Sequence, residues 1–488
     1  MCGVVGIYDN EEVIGKLYNA MLTIQHRGQD SAGILTYDGK YHVKKGNGLV
    51  RDIFDQKNIA RLRGNVGIGH TRYPTVGGGS VEDAQPFWLN HPYGIGGAHN
   101  GNVTNFFDLK RELFEESRKI INSNCDVEVI LNVFAEYLEK AAARDLTPEI
   151  IFNAVRYVYR RVKGSYSVVF HIANQGMVAF RDPYGLRPLL FGIKQDLLPS
   201  FAFASESVAL DAMGFTEIED VAPGSAVFVD RSRQVHKKKL ADKPFRPCIF
   251  EYIYFARPDS YLNGINVYKA RVELGKSLAR KIKAAGLQVD VVVPVPDSAR
   301  TAAIEIALML NVTYREGLVK NRYIGRTFIM PGNQNRKESI NHKLNPIKEV
   351  FFDKSILLVD DSIVRGNTSR AIIQMVRNAG ARKVYFASYS APLTNPCVYG
   401  IDMQTRNEFI AVNSTENQVA AKVGADVVIY QDIKDMERAV RLQNKNIHSF
   451  CKACFTGDYP THDVSRRMLD QIEEDRITIK EKEEPDEV

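Results

Sequence analysis

The sequence predicts an α+β domain followed by a parallel α/β domain, and three observations indicate this order. The chain has 488 residues, a length typical of two or three domains. As far as about residue 235, short β-rich segments are separated by turns and a few helices. Beyond a basic, proline-containing crossing at 237–247, continuous apolar strands alternate with helices. We therefore expect domains at 2–235 and 236–465, and a charged tail at 466–488.

Elements of both kinds are predicted in the first half. The predicted strands include Val66–His70, Ser167–Ile172, Met177–Arg181 and Ser225–Asp230. Turn residues separate them, as at Gly77–Gly79 and Asp182–Gly185. Helices are predicted at Asp108–Lys119 and Val127–Ala143. This mixture is typical of an α+β fold, in which sheets and helices form separate layers.

The second half repeats a strand-then-helix order. The predicted strands are Val289–Val295, Ile356–Val359, Val384–Ser388 and Val427–Tyr430. One helical pattern begins at Ala302, and a second runs over Thr368–Ala379 and stops at Gly380. Continuous apolar strands of this kind are buried on both faces, as in a parallel sheet. The tail is rich in Glu, Asp and Lys, so we expect it to be exposed and partly disordered.

Composition excludes several classes of protein. Hydrophobic residues make up 44% and charged residues 25% of the chain, the ordinary mix for a globular protein with a core. The net charge of +6 is small for this length and does not require a nucleic-acid partner. No apolar run approaches the ~18 residues of a membrane span, and no basic region precedes the apolar stretch of Met1–Ile7. We therefore expect a cytoplasmic protein with neither membrane nor nucleic acid as a partner.

Cys2 is the first candidate catalytic residue. It follows Met1 and precedes the small residue Gly3, so methionine removal would leave it with a thiol and a free α-amine. One residue then supplies both a nucleophile and a base, as in other N-terminal nucleophile enzymes. Position alone is a weak signal, because a cysteine at this point is more often an early core residue. The segments that follow make catalysis the better interpretation.

Four segments together resemble the class II glutamine amidotransferase domain. They are Met1–Gly6, Gln25–Gly33, Gly67–Tyr73 and His99–Asn102. The resemblance implies an αββα sandwich of the N-terminal-nucleophile type, in which the Cys2 thiol attacks the side-chain amide of glutamine. It further implies that Asn100 and the Gly101 N–H form the oxyanion hole, the kind of donor set that stabilises a tetrahedral intermediate.

The resemblance also assigns the groups that hold glutamine. Arg72 is expected to pair with the α-carboxylate, since a guanidinium can bind a carboxylate through two parallel hydrogen bonds. Asp126 is expected to meet the α-ammonium, with Glu128 as a local alternative. Cys125 fits no set and is interpreted as an ordinary thiol beside the glutamine site.

The most specific motif is Ile356–Ser369, where an apolar strand ends in Asp360 and Asp361 and a Gly/Thr/Ser loop leads into a helix. Paired acids at a strand end can bind ribose hydroxyls and Mg²⁺, which prefers oxygen ligands. Backbone N–H groups at a helix start can bind a phosphate. An ordinary strand–loop–helix connection with exposed acids is the alternative that this combination disfavours.

This motif resembles the 5-phosphoribosyl-1-pyrophosphate (PRPP) loop of type I phosphoribosyltransferases. Three further stretches extend the likeness: Glu251–Ser260, Pro294–Ser298 and Leu318–Pro331. With the first domain, they make the chain similar to the glutamine phosphoribosylpyrophosphate amidotransferases over about residues 2–465. The resemblance implies ammonia transfer from glutamine to C1 of PRPP, giving phosphoribosylamine and pyrophosphate as the entry step of purine synthesis.

The resemblance carries further residue roles. It places Mg²⁺ at Ser298, Asp360 and Asp361. Its PRPP-binding positions are Asp360, Asp361, Arg365, Gly366, Thr368, Ser369 and Lys320. A flexible loop at Lys320–Arg326 is expected to close over the substrate and exclude water, which competes with ammonia for C1. One departure concerns that loop: Asn341 stands where the family usually has Arg, and the neighbouring His342 replaces its charge only when protonated.

The remaining cysteines form a separate question. Cys451-x-x-Cys454, with Cys248 and Cys397, would make a four-thiolate set. Spacing alone leaves zinc, an iron–sulfur cluster and buried free thiols as alternatives. One branch of the family carries a structural [4Fe–4S] cluster at these four positions, and its Cys-x-x-Cys-Phe-Thr-Gly segment matches Cys451–Gly457. Many of its members have a propeptide, whereas here we expect maturation to need removal of Met1 alone.

Two other functions deserve comparison. Another class II amidotransferase, making glucosamine phosphate or asparagine, is disfavoured by the Asp360–Ser369 loop, because those enzymes need a different second half. A non-catalytic PRPP sensor is disfavoured by Cys2 together with Arg72, Asn100 and Gly101. By resemblance we also expect feedback inhibition by purine nucleotides and a homotetramer or homodimer.

Overall fold

A computed structural model describes residues 2–73, 80–321, 344–401 and 408–470. Within these residues no helix is both long and apolar enough to cross a membrane. The described chain forms two domains in the predicted order, an αββα sandwich followed by a parallel α/β sheet.

The strands of the first domain form two antiparallel sheets. In chain order they are β1 (Gly3–Tyr8), β2 (Ser31–Tyr37), β3 (Tyr41–Asn47), β4 (Val66–Arg72), β5 (Phe87–Leu89), β6 (Ile95–Val103), β7 (Gly164–Ile172), β8 (Gly176–Arg181), β9 (Leu190–Lys194), β10 (Ser200–Ala204), β11 (Glu217–Asp220), β12 (Ser225–Asp230) and β13 (Val235–Lys239). The first sheet has the order β11-β9-β10-β1-β4-β2-β3, and the second β13-β12-β8-β7-β6-β5. Their facing surfaces meet in an apolar layer that includes Val4, Ile68, Val169 and Phe203.

Helices cover the outer face of each sheet. They are α1 (Ile14–Thr23), α2 (Val50–Ile53), α3 (Gln56–Ile59), α4 (Phe106–Ser117), α5 (Asp126–Ala141), α6 (Pro148–Arg161) and α7 (Ser207–Ala212). Helices α1 and α7 pack on the first sheet, and α5 and α6 on the second. Local signals fix the helix ends: Thr147 accepts the Ile150 N–H at the start of α6, where Pro148 occupies the first turn. The predicted layers are therefore confirmed.

The second domain is built on a five-stranded parallel sheet of order β17-β16-β20-β21-β22, flanked by two short hairpins. Its strands are β14 (Tyr261–Leu262), β15 (Ile265–Asn266), β16 (Val291–Pro294), β17 (Thr313–Tyr314), β18 (Leu318–Lys320), β19 (Leu344–Pro346), β20 (Ser355–Asp360), β21 (Lys383–Ser388) and β22 (Val427–Tyr430). Its helices are α8 (Val267–Ala284), α9 (Arg300–Leu310), α10 (Lys348–Phe351), α11 (Asn367–Asn378), α12 (Glu416–Val423), α13 (Ile433–Arg441) and α14 (Ala453–Thr456).

Side chains on β20 alternate between two cores, which explains its continuous apolar sequence. Leu357 and Val359 face the core shared with α8 and α9, whereas Ile356 and Leu358 face the core shared with α11 and α12. The first of these cores continues into the α1 face of the first domain through Cys248–Ile253. The two domains thus share one apolar core, and a π-helical turn at Glu251–Phe255 lies within the joining segment.

The structure corrects the position of the crossing between domains. Lys237–Lys239, predicted to begin that crossing, belongs to β13 and pairs with β12 at the edge of the second sheet. Lys237 and Lys239 are exposed and Lys238 is half-buried, and lysines are typical of edge strands, where they hinder pairing with a further strand. The connection therefore runs over 240–247, and 236–239 belongs with the first domain.

Candidate active site

Cys2 lies at the start of β1, in the first sheet, and is buried. Its backbone N–H donates to Oδ1 of Asn100 over 3.3 Å, and its thiol lies 3.7 Å from the carbonyl oxygen of Tyr73. Strand β4 brings Tyr73 there because Gly3 pairs with Thr71. The fold therefore joins residues 2, 73 and 100, which are far apart in sequence, at one point between the two sheets.

Asn100 and Gly101 lie on β6, facing Cys2. The side chain of Asn100 is fully buried, and its Nδ2 has no hydrogen-bond partner among the described residues. A buried amide donor without a partner is costly, so a ligand oxygen is its natural acceptor. Gly101 has a φ of +154°, and a Cβ there would lie 2.0 Å from the carbonyl oxygen of Ser165. Only glycine fits this position, which agrees with its predicted role as a backbone donor.

Arg72 ends β4 and is 4% exposed, although guanidinium groups usually stay in water. Its guanidinium lies 3.8 Å from a carboxylate oxygen of Asp83. Its charge also reaches Cys125 and Asp126, lowering the pKa of each of these groups against the effect of burial. The fold thus brings Arg72 and Asp126 into one electrostatic neighbourhood, as glutamine recognition requires.

Geometry separates the two acidic candidates on α5. Glu128 accepts the N–H groups of Asn122 and Ser123, so it is occupied in holding the preceding loop. Asp126 accepts the Val103 N–H at 2.9 Å and pairs with His99 at 3.2 Å, both through Oδ2. Burial would raise the pKa of Asp126, but the His99 charge and these hydrogen bonds lower it overall. Asp126 is therefore the carboxylate that remains suited to an ammonium group.

Cys125 is buried immediately before α5. Burial and the Asp126 charge raise the pKa of its thiol, so it stays protonated at neutral pH. The thiol is thus an unreactive neighbour of the site, in line with its interpretation from the sequence.

Sequence reasoning missed the role of Arg27, although Gln25–Gly33 was singled out. Arg27 is 1% exposed and donates through Nε to the Cys2 carbonyl oxygen over 3.0 Å. Its terminal nitrogens contact Glu206 at 2.5 Å and Glu251 at 2.9 to 3.1 Å. Both acids are distant in sequence, and no local pattern connects them with Arg27. Cys2 is thus held by a buried ion network as well as by its strand.

Glu206 gives this network a pH dependence. Burial would raise its pKa, but the charges of His26 and Arg27, with hydrogen bonds from His26 and Ser260, lower it overall. A depressed carboxylate pKa stabilises the folded state above the usual glutamate pKa, and that contribution is lost as the pH falls below it. Glu206→Gln is therefore expected to cost about 3–5 kcal/mol of unfolding free energy at pH 7, and less at pH 3.

Urea unfolding across this pH range measures the effect. Glu273→Gln is the matched control, because Glu273 pairs with Lys276 at 2.8 Å at the surface, where such pairs contribute less than about 1 kcal/mol. A stability difference between wild type and Glu206→Gln that is the same at every pH would contradict the assignment.

The second predicted centre lies at the carboxyl end of β20. Asp360 and Asp361 are buried, and Asp361 accepts the hydroxyl protons of Ser298 at 2.5 Å and Ser362 at 2.6 Å. Burial raises the pKa of both acids, and the Asp361 charge raises that of Asp360 further. Two adjacent buried carboxylates repel each other, so a cation would relieve them.

The loop after Asp361 turns into α11 at Gly366, which has a φ of +81°. A Cβ there would lie 2.4 Å from Cδ1 of Ile410, the movable end of a side chain, so the backbone conformation is the main reason for glycine at this position. The first turn of α11 contains Thr368, which is exposed, and Ser369, which is buried. The predicted motif therefore has the expected shape, an open helix start beside two acids.

Two predicted PRPP-binding cations have protein partners in this structure. Arg365 pairs with Glu408 at 3.0 Å, and Lys320 pairs with Asp297 at 3.0 Å. Lys320 is half-exposed at the end of β18. Most of the predicted closing loop, together with Asn341 and His342, lies outside the described residues.

The four predicted cluster cysteines meet at the domain interface. Cys248 forms an isolated parallel bridge with Cys451, and each of Cys248, Cys451 and Cys454 is buried. Burial raises the pKa of the Cys248 thiol to about 11, and that of Cys451 and Cys454 well above the usual range. Nearby cysteine charges, including that of Cys397, raise the pKa of all three further.

Two donors already point at Cys397. The Tyr399 N–H lies 3.4 Å from its sulfur, and a guanidinium nitrogen of Arg187 lies 4.0 Å away. Thiolates crowded in an apolar site need positive charge, and hydrogen bonds to sulfur are typical of iron–sulfur centres. The residues therefore fit a cluster. No three His, Cys, Asp or Glu side chains in the described part of the chain are arranged to hold a single metal ion.

The segment after Cys397 lies against β6, the strand that carries Asn100 and Gly101. The Asn102 side chain donates to the carbonyl of Val398 over 3.0 Å, and Ser165 to that of Tyr399 over 2.9 Å. A Cβ on Gly400 would lie 2.9 Å from the Gly101 carbonyl oxygen. One short segment, 398–400, therefore connects the cysteine group with the strand that carries Asn100 and Gly101.

Comparisons with known proteins find relatives of both domains. A family model described as a glutamine amidotransferase domain matches residues 70–212, and a phosphoribosyl transferase domain model matches 265–393. The amidophosphoribosyltransferase of Pasteurella multocida is 47% identical, covering 99% of this chain and 97% of that protein. The amidophosphoribosyltransferase of Escherichia coli is 48% identical, covering 97% and 95% respectively.

A solved structure is similar over the same extent. The glutamine PRPP amidotransferase from B. subtilis, complexed with ADP and GMP, has a TM-score of 0.84 and 35% sequence identity. The match covers 95% of this chain and 98% of that one. The similarity therefore includes both domains and their arrangement.

Proposed function

The chain belongs to the amidophosphoribosyltransferase family, and we propose that Cys2 and the Asp360–Asp361 pair are its two reaction centres. The protein is a glutamine PRPP amidotransferase of purine biosynthesis. Glutamine and water give glutamate and ammonia at one centre. At the other, ammonia and PRPP give phosphoribosylamine and pyrophosphate. The observation that carries the site assignment is the buried Asn100 Nδ2, which has no hydrogen-bond partner among the described residues, on a side chain whose Oδ1 accepts the Cys2 N–H.

At the first centre, the Cys2 thiolate attacks the glutamine amide carbon, and the oxyanion accepts hydrogen bonds from Asn100 Nδ2 and the Gly101 N–H. One such donor contributes about 2.7–4 kcal/mol in other hydrolases. The free α-amine of Cys2 takes the thiol proton and returns it to the leaving ammonia. Water then hydrolyses the thioester. Arg72 holds the α-carboxylate and Asp126 the α-ammonium, so the amide carbon is placed over the thiol.

At the second centre, the ribose hydroxyls of PRPP bind Asp360 and Asp361, and its 5-phosphate binds the first turn of α11 through Gly366, Thr368 and Ser369. Mg²⁺, held by Ser298 and the two acids with substrate oxygens, would neutralise charge on the departing pyrophosphate. Arg365 and Lys320 add charge once their present partners, Glu408 and Asp297, are exchanged for substrate. Asp360 and Asp361 are themselves buried, which limits the access of water, the competitor of ammonia for C1.

One assay tests both assignments. Pyrophosphate and glutamate are measured with glutamine, PRPP and Mg²⁺, and again with ammonium chloride in place of glutamine. We expect glutamate and pyrophosphate in equal amounts, and pyrophosphate alone with ammonium. Well-folded protein that releases no glutamate would contradict the assignment of the first centre, and protein that releases no pyrophosphate with ammonium would contradict that of the second.

We further propose that Cys248, Cys397, Cys451 and Cys454 hold a structural [4Fe–4S] cluster. The support is the burial of Cys248, Cys451 and Cys454, the raised pKa values of their thiols and the donors aimed at the half-buried Cys397. All four residues belong to the second domain, and Arg187 of the first domain contacts Cys397, so a cluster would hold their three segments together beside the domain junction.

Protein purified without oxygen is therefore expected to contain about four iron and four sulfide ions per chain. Cys454→Ser is expected to lose most of both and to melt at least about 5 °C lower, since a group bound only by the native state stabilises it. Cys125→Ser is the matched control, because Cys125 is an equally buried thiol outside the set. A preparation that contains zinc and neither iron nor sulfide would overturn the proposal.

Regulation, assembly and location are further proposals. The B. subtilis relative is described with ADP and GMP bound, which supports feedback inhibition of this chain by purine nucleotides. We propose a homotetramer or homodimer, as is usual in the family. A cytoplasmic location is supported by the role of the relatives in purine biosynthesis.

A further inference from the structure

Glu251 belongs to the second domain but contacts Arg27, the first-domain residue that donates to the Cys2 carbonyl oxygen. It begins the π-helical turn Glu251–Phe255 and is 2% exposed. Its carboxylate accepts two near-parallel hydrogen bonds from Arg27, from Nη2 to Oε1 at 2.9 Å and from Nη1 to Oε2 at 3.1 Å. The same guanidinium donates through Nε to the Cys2 carbonyl oxygen. One side chain therefore separates Glu251 from the backbone of Cys2.

We propose that Glu251 is a positioning residue for Cys2, so that the glutamine site is completed by the phosphoribosyl half of the chain. This inference rests on the proposed function, in which Cys2 is the nucleophile. A bidentate pair fixes both the direction and the rotation of a guanidinium, which a single contact does not. Glu206 contacts only one nitrogen of Arg27 at 2.5 Å. Glu251 therefore sets the plane in which Nε points at Cys2.

Glu251 is itself fixed from the other side. Arg187 contacts its Oε1 at 3.4 Å and also donates to the Tyr399 carbonyl oxygen through Nε at 2.7 Å. Arg27 and Arg187 thus face Glu206 and Glu251, so the buried charges balance. Tyr399 lies two residues from Cys397 and next to Gly400, which packs on Gly101. Residues of the second domain therefore contact both Arg27, which holds the Cys2 backbone, and Gly101.

The turn that carries Glu251 is also bonded to the PRPP centre. Arg271 donates to the carbonyl oxygens of Tyr252, Tyr254 and Ala256, which fixes the shape of the turn. The Tyr389 hydroxyl donates to the Ile253 carbonyl at 3.0 Å and lies 3.2 Å from the Ser298 carbonyl oxygen.

The Ser298 hydroxyl in turn donates to Asp361 at 2.5 Å. A continuous set of buried and partly buried hydrogen bonds therefore runs from the PRPP acids through Ser298, Tyr389 and the Glu251 turn to Arg27 and Cys2. Such a network gives the two centres a physical route for coupling.

Glu251→Gln tests the role, because glutamine has the same shape but its amide nitrogen is a donor, so the bidentate pair with Arg27 cannot form. We expect the glutamine-dependent kcat to fall roughly 10- to 100-fold, as for a displacement of about 1 Å at a reacting group. The KM for glutamine should change less than about threefold, since Arg72 and Asp126 do not touch Glu251. Synthesis with ammonium in place of glutamine, which bypasses Cys2, should keep at least half of the wild-type rate.

Two further variants separate positioning from folding. Glu251→Asp keeps the charge with a shorter reach, and we expect it to recover part of the lost kcat. Glu136→Gln removes a different buried acid, which contacts Arg161 at 2.6 Å far from Cys2, and should leave the ratio of the two activities unchanged.

Each outcome decides the inference. A Glu251→Gln protein with equal loss of both activities, or an unchanged glutamine-dependent rate, would overturn it. A wild-type protein without glutamine-dependent activity would instead contradict the proposed function, so the two failures are distinguishable.

Discussion

Cys2→Ala is expected to lower glutamine-dependent synthesis of phosphoribosylamine by at least about 10³-fold, because no other group forms the thioester. Ammonium-dependent synthesis should stay within about twofold of wild type, since that reaction needs only the second centre. The change removes one sulfur from a residue that is 7% exposed. Because alanine keeps the backbone N–H that contacts Asn100, we expect the fold to be preserved.

The measurement compares pyrophosphate release with glutamine and with ammonium chloride in the same preparation. Cys125→Ala is the matched control, because it removes a buried thiol from the same neighbourhood without touching the nucleophile. Intact mass should show in each protein whether Met1 has been removed, because a blocked α-amine imitates the loss of Cys2. A Cys2→Ala protein that still releases glutamate at the wild-type rate would refute the assignment.

Much of the fold was predictable because its signals are local. The run Ile356–Val359 is apolar throughout, and such a run is stable only where both sheet faces are covered, as in β20. The αββα layers were implied by resemblance, and the two antiparallel sheets confirm them. Lys237–Lys239 was misplaced because an edge strand with one solvent face has the composition of a loop.

Site residues were predictable from the sequence only where they lie together in one short segment. Asp360 and Asp361 are adjacent in sequence, and the geometry of their loop follows from a few residues. The ion network around Arg27 joins positions 27, 206 and 251, whose contacts exist only once the two domains have packed. No periodicity or spacing encodes such a contact. The same reason explains why the ion pairs of Arg365 and Lys320 were not predicted, since their partners, Glu408 and Asp297, lie in other segments.

Asp361→Asn is expected to lower the rates of both the glutamine- and the ammonium-dependent reactions by at least about 10²-fold, because both share the chemistry at C1. Its effect therefore differs in kind from that of Cys2→Ala. Binding of PRPP in the presence of Mg²⁺, measured by calorimetry, should weaken in parallel. Asn keeps the shape of the side chain and can still accept the Ser298 hydroxyl, so the difference reports the lost charge.

The same substitution should stabilise the free protein. Burial raises the pKa of Asp361, and its charge also raises that of Asp360, so the ionised pair opposes folding at neutral pH. Because the pKa of the folded carboxylate is raised, the free energy of unfolding falls as the pH rises above the usual aspartate pKa. Neutralising one acid is therefore expected to raise the unfolding free energy at pH 7 by about 1–3 kcal/mol, and by less near pH 4.

Asp290→Asn is the matched control. Asp290 lies at the amino end of the same sheet, where it accepts the Ser355 N–H at 2.7 Å and pairs with Arg382 at 3.1 Å. Its replacement should leave both reactions intact and should not stabilise the protein. Loss of activity together with loss of stability in Asp361→Asn would show that the acid pair supports the fold. Loss of activity with a gain in stability shows instead that two repelling carboxylates are kept for the cation and the ribose they bind.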